Sequence, residues 1–353
     1  MAPYKINSGL PDKTPTRHIM KKRLQILLVL TLVLGTASLA LAETITLSYS
    51  NFFPPTHIQS KLAEQWCREV ETRTNGKVKI NYYPGSTLTG AKQCYDGVVE
   101  GISDIGLSAL AYTRNRFPVM AAVDLPLGYT TGSQATTIAN EVFIKFQPRE
   151  LKDVQPMYFH AHGPGLLFTT GKVVETLEDL KGLKIRATGN SAKLVKALGG
   201  TPVAQSMPTC YQSLQKGIVN GSMHPIESNK GWKLAEVVRH ATLSFPVAYT
   251  TTFFVVMNKD KWNELDAGTQ KIIQEINQKW AIKHGQAWDE ADQAGKTFFE
   301  EKGGTFTSLS TQEAQRWTSA VHPVLNEYTE DVSRKGIDGA AVISFIKTRM
   351  TSK

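Results

Sequence analysis

Cysteine is scarce in this chain: three among 353 residues, Cys67, Cys94 and Cys210. None stands in a C-x-x-C pair, so the usual spacing of a zinc knuckle or a dithiol redox centre is missing. G-x-S-x-G, H-E-x-x-H and a G-x-G-x-x-G after a strand are also absent, and with them the common signatures of an esterase elbow, a zinc protease helix and a dinucleotide loop. The stretch closest to a phosphate loop, Gly165 to Lys172, has five residues between its glycines instead of four and continues into Val173. The long apolar run Leu24 to Leu34 is too short to span a bilayer comfortably, which takes ~20 apolar residues. Acidic residues are in deficit, 31 against 40 lysines and arginines.

The apolar run follows Lys21-Lys22-Arg23 and leads to Ala40-Leu41-Ala42, the small-x-small pattern of a cleaved export signal. Met20 is the expected initiator, with residues 1–19 an upstream extension, and cleavage after Ala42 makes Glu43 the mature N-terminus. No cysteine follows the cleavage site to carry a lipid. Loss of residues 1–42 lowers the formal charge from +9 to +4, a poor signal for nucleic-acid binding. In an oxidising compartment an exposed pair of thiols closes. Cys67 and Cys94 fall on the first two helices of one lobe, so a Cys67–Cys94 disulfide is expected, two free thiols being the alternative. Cys210 is left as an odd, buried thiol.

What the chain does have is an internal repeat. Residues 94–104 and 210–220 share C-Y-x-x-[VL]-x-x-G-I-x-[DN], an amphipathic helix ending at a glycine and feeding a strand. Alternation through Ile45, Leu47 and Tyr49 reads as a strand, and Ile58, Leu62, Trp66 and Val70 as a helix stopped by Asn75-Gly76. Val78, Ile80 and Tyr82 alternate again. A second round of strands and helices begins near Leu180, the rhythm of parallel sheets with helices on their faces. Two apolar stretches, Met157 to Thr170 and Phe245 to Asn258, read as strands that cross between lobes, each long enough to serve two sheets. A helix from Asp266 to about Glu301 braces both lobes, and two more amphipathic helices fill Thr311 to Arg349. The expected division is 1–42 removed, 43–167 with 252–285 as the first lobe, and 168–251 with 286–345 as the second.

In open parallel α/β sheets, ligands bind beyond the carboxyl ends of the strands. Collecting what stands there gives Asn51, Phe52 and Phe53; Ser108 and Tyr112; Arg186; Met207; His224 and Glu227; and Tyr249. Arg186 is the residue expected to anchor a ligand, because a guanidinium at a strand exit forks onto a carboxylate. Its alternative is a surface ion pair. For the phenylalanines and Met207 the alternative is core packing, for His224 a backbone hydrogen bond. Trp232 and Tyr249 line either a cleft or a core.

Three runs make the chain resemble a known family: Gly182-Leu183-Lys184-Ile185-Arg186-Ala187-Thr188-Gly189, Leu198-Gly199-Gly200-Thr201-Pro202-Val203, and Tyr211 through Gly221. Together they are similar to the DctP-type solute-binding proteins of TRAP (tripartite ATP-independent periplasmic) transporters, over essentially all of 43–345. The resemblance implies a two-lobed periplasmic-binding-protein fold, type II-like, with α/β lobes joined by crossing strands. It also implies a periplasmic, monomeric receptor without a cofactor, which closes on a small organic acid and hands it to membrane permease subunits. The family's ligand-pairing arginine matches Arg186, a polar position after its V-[DN]-G turn matches His224, and the position ahead of the repeat helix matches Met207. Several members present a second arginine where this chain has Gly165-Leu166-Leu167-Phe168, and His224 stands where asparagine is common. These departures favour a monocarboxylate with an aromatic or apolar body over a dicarboxylate, which remains the alternative. A metal-binding receptor using His160 and His162 is a further alternative, since period-two spacing puts both imidazoles on one strand face. Nothing in the sequence requires an enzyme.

Overall fold

The computed structural model describes residues 1–9 and 44–351. Residues 1–9 hold neither helix nor strand, and the expected signal segment Met20 to Ala42 lies outside the described residues. Among the described residues no helix is long and apolar enough to cross a membrane.

The chain runs β1 (Ile45–Asn51), α1 (Ile58–Arg73), β2 (Val78–Tyr83), α2 (Cys94–Val99), β3 (Ile105–Ala109), α3 (Gly132–Phe146) and β4 (Val154–Ala161). It continues through β5 (Gly165–Thr169), β6 (Lys184–Ala187), α4 (Asn190–Ala197), β7 (Thr201–Ala204), α5 (Cys210–Gln215), β8 (Gly221–Pro225), α6 (Ser228–Gly231) and β9 (His240–Leu243). The last part is β10 (Thr252–Asn258), α7 (Lys259–Asn263), α8 (Ala267–Glu301), β11 (Thr305–Ser308), α9 (Thr311–Ser333) and α10 (Gly339–Thr351). Two sheets result, ordered β2-β1-β3-β10-β4 and β11-β9-β5-β8-β6-β7. Alternation along β1 sends Leu47 and Tyr49 inward, fully buried with Ala63, Trp66 and Val70 of α1.

The repeat occupies one topological position twice. In the first sheet β1 pairs in parallel with β2 and β3; in the second, β6 pairs in parallel with β7 and β8. The C-Y helices are α2, ahead of β3, and α5, ahead of β8. Each lobe also borrows a strand: β10 lies antiparallel beside β3, and β5 antiparallel beside β8.

The two apolar stretches do not form single shared strands. Pro164 has no N–H to continue a ladder, so β4 ends before His162-Gly163-Pro164 and β5 pairs only in the second sheet. Likewise Phe245–Val247 is a 3-10 turn, and β10 begins at Thr252. The crossings run side by side, with Gly165 N donating to Tyr249 O at 2.7 Å and His162 N to Thr251 O at 3.4 Å. The C-terminal α10 lies on the first-sheet side, against α3, where Gln134 Nε2 donates to Met350 O and Arg349 pairs with Glu141.

The long brace is present as α8, capped by Asp266, whose Oδ1 accepts from Thr269 N at 3.0 Å. It reaches both lobes. Asn277 Oδ1 accepts from Trp66 Nε1 at 3.0 Å, and Asp289 accepts from Gly132 N at 2.5 Å at the start of α3. Three residues on, Asp292 accepts from Glu227 N at 2.8 Å, at the entry to α6. Gly295 permits that second contact, because a β-carbon there would sit 2.4 Å from Ile226 O.

The expected Cys67–Cys94 disulfide is not formed; all three cysteines are free and buried. The sheet itself separates the pair. Cys67 packs on the face of Leu47, Tyr49 and Leu107, whereas Cys94 packs with Val256 and Phe254 and its Sγ lies beside Gly106 on the other face.

Candidate functional site

The strand exits of both sheets converge on one internal cavity of about 20 Å³. It is lined by Phe52, Phe53, Tyr112, Arg186, Met207, His224 and Tyr249 from the sequence-derived set. Trp232, His162, Phe253 and Trp288 join them. A volume of this size holds about one water, because aromatic rings fill the space. Phe52 from the first lobe stacks 6.0 Å from Trp232 of the second, and Phe253 stacks 5.4 Å from Trp288. A wider groove of about 560 Å³ between α3, β4 and α8 has Glu141 as its sole charged lining residue, and that carboxylate already pairs with Arg349.

Arg186 is the electrostatic centre. It is 2 % exposed at the end of β6, where its Nε donates to Gln205 O at 2.9 Å and Nη1 to Met223 O at 3.2 Å. Carbonyl dipoles hold the guanidinium in place without neutralising it. Among the described residues no carboxylate reaches it, the buried Glu227 being turned instead to His57 Nε2 at 2.7 Å. A buried charge without a counter-ion is costly, and here it faces a cavity.

Around it stand groups that hydrogen-bond without carrying charge. Tyr112 Oη accepts from Met207 N at 3.0 Å across the two lobes, leaving the phenolic proton free to donate. Burial pushes that hydroxyl's pKa up, the Arg186 charge offsetting only part, so it stays protonated. His224 is fully buried, stacked 4.1 Å from Phe168, and neither ring nitrogen has a hydrogen-bond partner. Burial first, and then Arg186, hold its pKa well below the ordinary imidazole value. His162 is lowered to about 4, chiefly by burial. Both imidazoles are therefore neutral near pH 7.

The remaining predicted residues hold the walls. Asn51 Oδ1 accepts from Phe53 N at 3.0 Å, and its Nδ2 donates to Tyr82 Oη at 2.7 Å, which fixes the loop carrying the two phenylalanines. Ser108 Oγ donates to Ala91 O at 2.7 Å. Glu227, bound to His57 and held through its N–H by Asp292, stands behind the cavity. His160 does not share a site with His162: its Nδ1 accepts from Trp288 Nε1 at 3.0 Å and its ring stacks 4.5 Å from His284. Among the described residues no cluster of His, Cys, Asp or Glu has the form of a metal site. Phe253 and Trp288 carried no cavity signal in sequence, and His162 was singled out only with His160 for a metal; the crossing after β4, β10 and α8 bring the three to the cavity.

Two repeated α/β sheets, closed on a buried cation in an aromatic cavity, define a receptor for a small anionic solute. The profile of the DctP family, bacterial extracellular solute-binding protein family 7, matches residues 49–331, and the chain belongs to that family of TRAP periplasmic solute receptors. The C4-dicarboxylate-binding periplasmic protein DctP of Rhodobacter capsulatus is 25% identical over 332 residues, covering 87% of this chain and 92% of its own. A TRAP periplasmic solute binding protein of Desulfovibrio salexigens, solved in an open complex, is 34% identical with a TM-score of 0.77, covering 87% of this chain and 95% of that one. A marine-metagenome TRAP solute binding protein specific for aromatic acid ligands, solved with 3-hydroxybenzoate, is 28% identical. Its TM-score is 0.83, over 88% of this chain and 98% of that one. The family and these neighbours are solute-binding receptors, not enzymes. TRAP receptors of this kind bind small organic acids and work with membrane permease components.

Proposed function

We propose that this receptor binds an aromatic monocarboxylate in the inter-lobe cavity and delivers it, after export to the periplasm and cleavage at Ala42, to a TRAP permease. The observation that carries the reading is a single unpaired guanidinium, Arg186, in a cavity whose other lining residues are aromatic, apolar or uncharged. One cation balances one carboxylate. A diacid would bury a second negative charge beside neutral His162 and His224 with nothing to neutralise it.

The crossing strand Gly165-Leu166-Leu167-Phe168, where the family resemblance implies a second arginine in several members, carries no charge here. A β-carbon at Gly165 would stand 2.2 Å from the Tyr249 ring, so the crossing strand lends an aromatic wall instead of a charge. The aromatic-acid specificity of the metagenome receptor agrees with such a wall. Arg186 alone is not enough. Two charge-assisted hydrogen bonds contribute ~3–6 kcal/mol, and micromolar affinity needs about 8. Ring burial against Phe52, Trp232 and Phe253 supplies the difference at ~25 cal/mol per Å².

Entry of a ring into so small a cavity requires opening. The lobes are expected to hinge where the chain changes sheet, at His162-Gly163-Pro164 and at Thr250-Thr251, while α8 keeps its hold on both. The test is calorimetric titration of the mature protein with benzoate and with succinate. Micromolar or tighter binding of benzoate, with succinate at least ~100-fold weaker, is expected; the reverse order overturns the reading.

A further inference from the structure

We propose that His162 is a specificity-determining residue that accepts a hydrogen bond from a hydroxyl on the ligand, so that the preferred ligands are hydroxylated aromatic monocarboxylates. This rests on the aromatic-acid reading above and adds a second point of recognition to Arg186.

The argument begins with the tautomer. His162 Nδ1 lies 2.6 Å from Gly163 O. A carbonyl oxygen only accepts, so Nδ1 carries the proton. In the neutral ring Nε2 is then a bare acceptor. The ring's hydrogen bond is the Nδ1 contact to Gly163 O, and the residue, 3 % exposed, lines the cavity.

Two further contacts fix the residue, one on its backbone and one on its ring. Its own carbonyl accepts from Thr250 Oγ1 at 2.6 Å, and its edge meets the Tyr249 ring at 85° and 5.6 Å. The groups facing it from the other elements are Glu227, which is bound to His57, Arg186, which donates to carbonyls, and the neutral His224. None of them supplies the missing donor. A carboxylate or a bare ring edge cannot supply it either. A phenolic or alcoholic hydroxyl can.

A buried acceptor left unsatisfied by the wrong ligand penalises that ligand, and sites built this way discriminate against the analogue that lacks the polar group. The test titrates benzoate and the 2-, 3- and 4-hydroxybenzoates into the wild-type protein and into His162→Phe and His162→Gln, with thermal melts to confirm folding. In the wild type one hydroxybenzoate is expected to bind roughly 10- to 100-fold tighter than benzoate. In His162→Phe that preference falls to within about 3-fold, by loss of affinity for the hydroxylated acid and not by gain for benzoate. In His162→Gln, whose amide oxygen still accepts, part of the preference returns. No preference at any ring position in the wild type, or a preference that survives His162→Phe, overturns this inference and leaves the aromatic-acid reading intact. Failure of all four acids to bind the wild type overturns both.

Discussion

Replacing Arg186 by methionine removes the guanidinium while keeping an unbranched side chain of similar reach. The structure sets two opposing magnitudes. Two carbonyls, Gln205 O and Met223 O, lose their donors, at a net ~1–3 kcal/mol for each orphaned group. Against this, a buried charge with no carboxylate partner disappears, and removing one relieves a desolvation cost of several kcal/mol. The unliganded variant is therefore expected to melt at or above the wild-type temperature. Binding behaves oppositely: loss of ~3–6 kcal/mol of charge-assisted hydrogen bonding weakens an aromatic acid by ~10²–10⁴-fold. Paired melts and titrations decide it. Wild type with ligand at 100 times Kd gains about 2.7 kcal/mol, and Arg186→Met gains at most about 0.4 at that concentration. A variant that binds within about 3-fold of wild type, or that unfolds without losing ligand, shows that Arg186 is a structural cation and refutes the anchoring argument.

Two more expectations follow from buried groups away from the cavity. The three thiols are unbridged, and burial pushes Cys67 well up and Cys94 to about 12. Iodoacetamide should label none of them in the native protein and all three in denaturant, and a reductant should leave the melting temperature unchanged; a shift on reduction would restore the disulfide. Burial pushes Asp292 from 3.8 up to about 8, so between those values the folded state holds a proton that the unfolded state has released. Its contribution to stability is thus full at low pH and is lost as the pH rises to about 8. Asp292→Asn should flatten the fall in unfolding free energy between pH 5 and 9, read by urea titration. Asp124, raised to about 7 by burial, leaves a residual slope of the same sign. An unchanged slope would show that Asp292 is ionised throughout.

The repeat, the strand–helix rhythm and the brace were legible because each rests on local periodicity or capping. Asp266 marks the start of α8, and the two C-Y helices lie at equivalent places in the two sheets. Arg186 was legible for a related reason, since the end of a β-strand in a parallel sheet is a fixed place. The crossings were misread because apolarity alone does not say where a strand stops; Gly163-Pro164 and Pro246 did, and they interrupt both. The cysteine pairing failed on a point no spacing reveals, namely on which face of a sheet a helix packs. Consecutive helices α1 and α2 pack on opposite faces of the first sheet, a consequence of how β1, β2 and β3 are wound.

The aromatic cavity was the least legible part, and its composition explains why the site is closed yet so small. Phe52, Trp232 and Phe253 come from three distant stretches and are core-like side chains that stack on one another. Cross-lobe polar bonds that back them include the buried His57–Glu227 pair at 2.7 Å, Met207 N to Tyr112 Oη, Thr188 Oγ1 to Ala111 O at 3.4 Å and Asn190 Nδ2 to Ala121 O at 2.7 Å. The three neutral bonds are worth ~0.5–1.5 kcal/mol net each, and the bond to the Glu227 carboxylate ~1.5–3. Opening exposes rings and breaks these bonds, and an aromatic acid entering the gap restores ring contacts while supplying the anion that Arg186 lacks. Ligand adds two gains to the closed form: its ring leaves water against Phe52, Trp232 and Phe253, and its carboxylate neutralises the guanidinium. That is why charge should govern whether this receptor closes on a compound, and ring substitution, read at His162, should govern which compound it is.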